Sequence, residues 1–481
     1  MPEAQTVLAQ ILRMVPRTEF EKLARQHGGE NRVRSFPCWS QFACLVYAQL
    51  SRQTSLRDLV LALETKKPLL YHCLGTTEVR RSTLADANER RPYQIYESLF
   101  IRLYQQCAVQ APEHRFRFRN KLYSFDASVV DLCLSVFPWA KFRSTKGAIK
   151  LHALLDHDGH IPSFLRVTTG STHDIRQARN LLPQPDSILT FDRGYVDYAW
   201  FYQLHLQGAY FVTRLKRGAA FRVVERREPP PLSGVSSDQT IRILGAKPDS
   251  IPIDLRRIGY LDPATGIRYF FLTNLFHLSA KTVAEIYRAR WQVELFFKWI
   301  KQHLRIKTFI GTSENAVMSQ VYVAMITYLL LSYLKFSSRS PLTLYALAKR
   351  IEVSLFDHVD LRSLLAKRIA RPKDRRVLST PAQLAFKWEG STPTPMPPIR
   401  RIQNATKCPK PLRHKGHRPD TSEISSTDRW SCLGGGAGGE QALERGPQSP
   451  RPGARARSRD SVCYGPAIVS SALVLRSPRP R

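Results

Sequence analysis

The chain is poor in acidic residues: 39 Asp and Glu accompany 73 Lys and Arg, for a formal net charge of +34. Residues 391–481 contribute +10 of this charge, so most of the excess lies in residues 1–390. A basic body of this size indicates a polyanionic partner, of which nucleic acid is the common case. The excess argues against a glycosidase with paired carboxylates.

Long apolar segments and paired cysteines are also missing. The longest apolar run, Val321–Leu334, is shorter than the ~20 residues of a membrane-spanning helix, and we expect a buried core helix. Met1–Arg17 lacks the basic start, apolar stretch and cleavage site of a secretory signal. The eight cysteines include no C-x-x-C pair, which indicates reduced thiols. These absences favour a cytoplasmic protein with no membrane partner.

Residues 1–115 have the pattern of a helical domain. Ser55 and Ser82 are predicted to be N-caps. Arginine pairs at 80–81 and 90–91 favour a DNA-binding domain, and a solvated basic surface is the alternative. The segments whose apolar residues recur at helical spacing are Thr18–Gln26, Trp39–Ser51, Ser55–Glu64, Ser82–Glu89 and Tyr93–Gln110.

From residue 116 onward the pattern changes to β-strands. Three strands, a helix, a strand, a helix and a strand predict a mixed α/β sheet that starts with a meander. Four further short strands, separated by turn-rich stretches, predict a β-rich insertion at about residues 217–278. The predicted core elements are Leu122–Val130, Ile149–Asp156, Ile161–Thr168, Asp174–Leu182, Ser187–Phe191, Asp197–Gln207 and Ala209–Leu215.

The last part of the chain combines helices with a segment of unusual composition. Two long helices are predicted at Ser279–Leu304 and Ser313–Phe336, and a helical appendage at 341–386. Residues 391–481 contain 13 Pro and 9 Gly, which predicts a disordered tail from about residue 387. The composition of this tail is typical of translation past a frameshift or a junction.

The helix predicted at Ser279–Leu304 carries a polar stripe. At about 100° per residue, Tyr287, Arg290, Glu294 and Lys301 fall within roughly 60° of one another around the axis. The adjoining face is apolar, so the helix can dock on a sheet while the stripe overlooks a cleft. One acid beside two cations suits a site that holds a metal ion next to a phosphate.

Two aspartates are candidate partners of Glu294. Asp126 lies near the end of the first predicted strand and Asp192 directly follows the fourth. These strands can be neighbours with the helix across them, so the three acids can converge. Mg²⁺ prefers oxygen ligands. Two such ions ~4 Å apart can activate the attacking water or 3′-hydroxyl on one side of a phosphorus and stabilise the leaving oxygen on the other side. Asp131 is an alternative to Asp126, but its odd spacing would place it on the opposite face of one strand.

Together these motifs resemble those of the DDE transposases of bacterial insertion sequences. The stripe has the Y-(2)-R-(3)-E-(6)-K spacing typical of the insertion-sequence-4 family, and the resemblance covers about residues 15–386. It implies a ribonuclease-H-like catalytic core at 116–340 with the β-rich insertion between the second and third acids. The other matching motifs are Phe125-Asp126-Ala127-Ser128 and Asp192-Arg193-Gly194-Tyr195.

The resemblance also implies an activity. The implied enzyme binds the terminal inverted repeats of its element and cleaves and joins DNA strands. It would use two Mg²⁺ ions, for which Mn²⁺ can substitute. The partners would be the double-stranded DNA of the transposon ends and of the target, paired by a homodimer in a bacterial cytoplasm. The family does not normally carry such a tail, so a catalytically inactive, transposase-derived DNA-binding protein is the alternative.

Residue roles follow from the same resemblance. Asp126, Asp192 and Glu294 would be catalytic and bind the metal ions. For Trp291 core packing is the alternative to stacking on a base, and for His173 a structural polar role is the alternative. An aromatic residue of the insertion, Tyr260, Tyr269 or Phe270, would hold a flipped base. The implied DNA contacts are Tyr287, Arg290, Lys301, Trp291, Arg193, Lys150, His152 and His173.

Overall fold

A mixed β-sheet lies at the centre of the protein in the computed structural model, and the described residues contribute nine strands to it. The predicted tail at 387–481 lies outside the described residues, as does the end of the appendage predicted at 341–386. The structure describes residues 5–31, 33–142, 146–231, 233–244 and 252–366.

The first five strands form a ribonuclease-H-like sheet, as the sequence predicts. Their order is β3-β2-β1-β4-β5, in which β2 is antiparallel to β1 and β3, while β4 is parallel to β1 and β5. They are β1 (Leu122–Leu132), β2 (Gly147–Asp156), β3 (Ile161–Thr169), β4 (Ile188–Phe191) and β5 (Tyr210–Arg214).

The β-rich insertion continues the same sheet. Its last strand pairs antiparallel with β5, with Val212 opposite Thr273, and the order continues as β9-β8-β7-β6. The insertion therefore extends the same sheet from β5, the strand that follows β4 in the sequence. Its strands are β6 (Phe221–Arg227), β7 (Val235–Ile243), β8 (Leu255–Leu261) and β9 (Arg268–Thr273).

Seven helices precede the sheet in the described chain. The Ser55 hydroxyl caps α4, because it accepts a hydrogen bond from the Asp58 amide at 3.1 Å. The N-cap predicted at Ser82 is wrong: α6 begins at Arg81, and its N-cap residue Arg80 makes no capping hydrogen bond. The helices are α1 (Val7–Leu12), α2 (Arg17–Gln26), α3 (Cys38–Leu50), α4 (Leu56–Glu64), α5 (Lys67–Leu74), α6 (Arg81–Arg90) and α7 (Gln94–Gln110).

The remaining helices lie within and after the sheet region. α12 is long and apolar enough to cross a membrane, but 94% of its apolar window is buried inside the protein. This burial confirms the predicted core helix. They are α8 (Asp174–Ala178), α9 (Tyr198–Leu206), α10 (Ala280–Ala289), α11 (Trp291–His303), α12 (Glu314–Ser337), α13 (Leu344–Ser354) and α14 (Leu361–Ala366).

Side chains alternate between the two faces of the sheet along each strand, so both faces carry apolar residues. Helices pack on both of these faces. Leu122 and Ile188 pack with Val283 of α10 on one face. Phe125 and Phe191 pack on the other face, with α9. On the first face, α11, α12 and the N-terminal helices share one continuous core with β1–β3.

The single helix predicted at Ser279–Leu304 is wrong in one respect: it is divided into α10 and α11 at Arg290. The Arg290 amide donates to the Tyr287 carbonyl, and the Val293 amide to the Arg290 carbonyl, each at 3.1 Å. These three-residue spacings tighten one turn. Arg290 keeps helical torsions, φ −50° and ψ −32°, so the chain continues in a helical course.

Candidate active site beside β1 and β4

The first two acids lie side by side on neighbouring strands of the sheet, Asp126 within β1 and Asp192 directly after β4. In the parallel pairing of β1 with β4, Phe125 is the partner of Phe191, and Asp126 and Asp192 are the next residues. Neighbouring strands lie about 4.8 Å apart, so the two aspartates are adjacent. Because Phe125 and Phe191 face α9, the aspartates that follow them face α10 and α11.

Glu294 reaches the same place from α11. Nη2 of Arg290 donates to Oε1 of Glu294 at 2.6 Å, and Nη1 donates to Oδ2 of Asp126 at 3.3 Å. The guanidinium therefore joins the first and third acids. Its side chain is only 12% exposed, so little water screens these ion pairs.

Asp192 has a separate set of donors. Its carboxylate accepts from Arg214 Nη2 at 2.9 Å, from the Tyr287 hydroxyl at 3.3 Å and from the Gly194 amide at 3.1 Å. Burial opposes ionisation, but the hydrogen bonds from Arg214 and Gly194 outweigh it and hold the pKa of Asp192 below its ordinary value.

Asp126 has the opposite electrostatic balance. Burial raises its pKa to about 6, although the Ala127 amide, at 2.8 Å, and Arg290 both favour the charged form. Glu294 and Asp192 add to the rise because like charges repel. The three carboxylates therefore form a site where an added positive charge lowers the electrostatic free energy.

Sequence reasoning did not identify Arg214. It is the last residue of β5, and the β4–β5 register, Thr190 opposite Val212, places it beside Asp192. Its guanidinium also lies 5.7 Å from the Tyr287 ring centroid. A signal was present, because Arg214 is a cation near the end of the strand predicted at Ala209–Leu215.

A cavity of about 570 Å³ opens beside the acids. Arg214, Tyr287 and Arg290 line it next to Trp291, whose side chain is 55% exposed. The core-packing alternative for Trp291 is therefore excluded. Two of the three aromatic candidates of the insertion, Tyr260 and Tyr269, also line this cavity.

Three of the expected DNA contacts, Lys301, Arg193 and His173, lie in different surroundings. The Lys301 ammonium donates to the Val129 carbonyl of β1 at 2.7 Å, and burial, together with Lys307, lowers its pKa. Arg193 is exposed in the turn that directly follows Asp192. His173 is exposed just before α8, and its side chain makes no capping hydrogen bond.

The expected DNA contact at His152 needs correction. His152 is the register partner of Ala127, so it points to the face opposite Asp126, and its side chain is fully buried. Its Nε2 lies 3.0 Å from the Thr168 hydroxyl oxygen, and burial lowers its pKa to about 4. A neutral, buried imidazole supports the fold and has no surface to offer to DNA.

Lys150 belongs to the same buried group. It lies on the same face of β2 as His152, and its ammonium is 2.9 Å from Oδ1 of Asp174 and donates to the Thr172 carbonyl at 2.9 Å. Its side chain is 14% exposed. Lys150 therefore fixes the start of α8 on the far side of the sheet from Glu294.

The donor set fits hard divalent cations. Two aspartates on neighbouring strands and one glutamate across from them offer carboxylate oxygens, which Mg²⁺ prefers. Among the described residues no three His, Cys, Asp or Glu side chains are already arranged to hold a metal ion. The reason is visible at Arg290, whose guanidinium lies between Asp126 and Glu294.

Comparisons with known proteins agree with this geometry. A family model described as a transposase DDE domain matches residues 118–330, and a domain of unknown function (DUF4372) matches residues 3–76. The y4zB protein of Sinorhizobium fredii, which carries the name of a transposase, is 31% identical over 63% of this chain and 85% of its own length. This chain belongs to the DDE transposases. Its membership explains why the matched region starts just before β1 and ends within α12.

Further relatives of this transposase are named for insertion sequences. A protein of Geobacillus stearothermophilus named for element IS5377 is 31% identical over 54% of this chain and 68% of its own length. One from Synechocystis named for element IS4SA is 21% identical, over 59% and 77%. Among solved structures, a piggyBac transposase synaptic complex with hairpin DNA aligns with a TM-score of 0.36 at 12% identity, over 76% of this chain and 80% of its own.

Proposed function

We propose that this transposase binds the terminal inverted repeats of an insertion sequence and catalyses metal-dependent DNA cleavage and strand transfer by in-line phosphoryl transfer. One observation carries the proposal. Asp126 within β1 and Asp192 directly after β4 lie side by side on these parallel strands, and Arg290 ties Glu294 to Asp126. Three acids far apart in sequence thus share one polar cluster beside an open cavity.

Asp126, Asp192 and Glu294 would hold Mg²⁺ ions, with Mn²⁺ as a substitute. When bound, such ions would neutralise phosphate charge and acidify the attacking water or 3′-hydroxyl. The elevated pKa of Asp126 supports this assignment, because burial beside two other acids makes its charge costly until a cation compensates it.

Arg290 and Arg214 are the proposed contacts to the phosphate next to the cleaved bond. Both guanidinium groups retain a buried Nε that has no hydrogen-bond partner in the described structure. A phosphate oxygen would satisfy such a donor, and a guanidinium can bind two oxygens of one phosphate. Tyr287 would hold Asp192 and Arg214 in place from the same side.

Trp291 is the proposed stacking platform for a base at the transposon tip. Its exposed ring borders the cavity next to Tyr260 and Tyr269, and the cavity volume of about 570 Å³ is in the range of small-ligand sites. Phe270 is a weaker candidate, because its ring lies 4.1 Å from the Arg257 guanidinium and it does not line this cavity. Arg193 and His173 would contact the backbone.

The helices of residues 1–115 are proposed to recognise the repeat. Arg80, Arg81 and Arg90 are exposed around α6, where Arg90 and Arg80 pair only with exposed acids. Arg91 is instead partly buried, and its guanidinium donates to the Gln41 side chain at 3.2 Å. Two repeats must be brought together for strand transfer, so we propose that the transposase acts on bacterial DNA as a homodimer.

A plasmid excision assay tests the proposed function. The donor plasmid carries a mini-element with the flanking repeats, and wild type is compared with Asp192→Ala. We expect Mg²⁺-dependent strand cleavage at the tips with wild type and none with the variant, while both bind the repeat. Equal background with both proteins would support a catalytically inactive DNA-binding protein instead.

A further inference from the structure

A second cavity, of about 870 Å³, lies away from the acids. Its walls come from the end of α7, the turn between β2 and β3, the α10–α11 junction and the end of α12. The proposed function assigns no role to it. Its basic and imidazole lining residues are His114, Arg115, His157, His160, Lys335 and Arg339.

The cavity keeps its positive charge because the nearby acids are already paired. Below it, the Lys121 ammonium lies 3.2 Å from Asp156 and 2.5 Å from Asp158. The Tyr104 hydroxyl donates to Asp156 at 2.9 Å, and the His114 amide donates to Asp158 at 2.8 Å. Glu113 is the single carboxylate in the lining described by the structure.

The ring of His114 offers an unused polar atom in this region. Its Nε2 lies 2.9 Å from the Asn120 carbonyl oxygen, whereas Nδ1 is buried without a hydrogen-bond partner in the described structure. The Asn120 carbonyl can only accept, so Nε2 is the donor in this contact and Nδ1 is the ring atom left without a partner.

A row of arginines continues from the cavity. Arg115, Arg117 and Arg119 are exposed and alternate with Phe116 and Phe118. The two phenylalanine rings stack at 5.0 Å and pack against the core under α10, which turns the arginines outward. None of the three arginines forms an ion pair with a residue that the structure describes.

The cavity and the catalytic acids lie on different flanks of the same helices. Ala289 and Gln292 line the cavity, and they are roughly 100° and 160° around the helix from Arg290, which faces Asp126. One phosphate group cannot occupy both places. A DNA strand in the cavity would therefore be a different segment from the one at the acids.

We propose that this cavity and the Arg115–Arg119 row form a second binding track for the phosphate backbone of double-stranded DNA, separate from the cleavage site. The choice of DNA as the occupant rests on the proposed function. Phosphate contacts of this kind hold a duplex in position without reading its sequence. Because the track borders the α10–α11 junction, the segment held there also contacts the helices that carry Arg290 and Glu294.

The test compares two cavity variants with a charge-matched control. Lys335→Gln/Arg339→Gln removes two cations from the wall, and Arg115→Gln/Arg117→Gln removes two from the row. Arg222→Gln/Arg226→Gln removes two exposed cations from β6, at the far edge of the sheet. Binding of a short duplex of random sequence is followed by fluorescence anisotropy over a range of salt concentrations, and thermal melting confirms that each variant is folded.

We expect the slope of log affinity against log salt to fall by about 2 in each cavity variant, since each lost phosphate contact removes ~0.9. The control pair should retain the wild-type slope. Inorganic phosphate at the same ionic strength should compete weakly, whereas a second unlabelled duplex should compete fully. A site for free phosphate alone would show the reverse competition and overturn the proposal.

Folded cavity variants that keep the wild-type slope would also overturn it. The outcome is independent of the proposed catalytic function, because anisotropy requires no cleavage. Failure of Mg²⁺-dependent cleavage in the wild type, with the slope change intact, would count against the catalytic proposal only. A photocrosslinker placed at Gln292 should mark DNA positions different from those marked by one placed at Trp291; identical positions would contradict a separate track.

Discussion

At the residue scale, Arg290 is the centre of the site. Its guanidinium compensates Asp126 and Glu294 together, which would otherwise repel each other in a poorly solvated place. The same position makes it a competitor of any metal ion for those carboxylates. This dual role leads to the first prediction.

We expect Mg²⁺ to stabilise Arg290→Met more than the wild type, because no cation then competes for the carboxylates. The stabilisation should approach roughly 2–3 kcal/mol at a hundredfold excess over the dissociation constant, while strand cleavage falls at least about 100-fold. Thermal melting with and without MgCl₂ measures the first effect. Arg288→Met, which removes an exposed arginine paired with Asp262, is the control. Identical Mg²⁺ shifts in the two variants would contradict the assignment.

Arg214 should control the ionisation of Asp192. Removing it in Arg214→Gln removes the hydrogen bond that lowers the pKa of Asp192, so that pKa rises. Under the proposed function Asp192 acts in its ionised form, and we therefore expect the acidic limb of the pH–rate profile to move to higher pH. The rate at neutral pH should fall roughly 10- to 100-fold. Arg217→Gln, an exposed neighbour in the following turn, should keep the wild-type profile; a shifted limb there would point to a general charge effect.

His152 should make stability depend on pH. Its folded pKa of about 4, lowered by burial, lies below the ordinary value of 6.5. Between these two pH values the unfolded chain therefore binds a proton at this ring, whereas the folded chain does not. Stability is therefore lost as pH falls from about 6.5 to 4, by up to roughly 3 kcal/mol. Denaturant unfolding across this range should show a shallower dependence in His152→Gln. His173→Gln, on the surface, should follow the wild type; a shallower curve there would argue against burial as the cause.

At the element scale, the division between α10 and α11 places the polar stripe. α10 packs over β4, β5 and β8, whereas α11 packs over β1 and β2, so one straight helix would have to follow both parts of a twisted sheet. The tightened turn at Arg290 lets α10 and α11 each follow its own part of the sheet. The sequence contains no Pro or Gly there to signal the break, so it predicted one uninterrupted helix; the shared role of the four stripe residues stays a prediction.

Lys301 should act by holding α11 against β1. The hydrogen bond from its ammonium to the Val129 carbonyl supports a positioning role over a direct phosphate contact. We expect Lys301→Gln to lower the cleavage rate about tenfold while the affinity for repeat DNA and its salt slope stay unchanged. Lys298→Gln, exposed on the same helix, is the control for lost charge. A salt slope reduced by about 1 only in Lys301→Gln would instead show a phosphate contact.

At the scale of the whole molecule, the N-terminal helices and the catalytic sheet are not energetically separate. Phe42 of α3, Tyr96 of α7 and Tyr322 of α12 are fully or almost fully buried in one core that also contains Ile149 and Leu151 of β2. The boundary predicted near residue 115 stays a prediction about function. The packing indicates a shared unfolding unit.

Phe42→Ala should therefore destabilise the catalytic region as well. Loss of a fully buried ring costs about 3–5 kcal/mol, and we expect circular dichroism and Mg²⁺-dependent cleavage to disappear over the same denaturant range. Leu61→Ala in α4, where the leucine is 61% exposed, should change stability by less than about 0.5 kcal/mol. Cleavage that survives after the helices unfold would contradict a shared core.

The sequence by itself determined most of the helices and strands, and its motifs indicated three acids as candidate metal ligands. Local periodicity places Phe125 and Phe191 inward, and Asp126 and Asp192 each directly follow one of these buried residues. Only the tertiary structure decided which cations meet which acids, which face His152 occupies and where the long helix is divided. Those features depend on strand register and on helix packing between distant segments, and neither leaves a periodic signal in the local sequence.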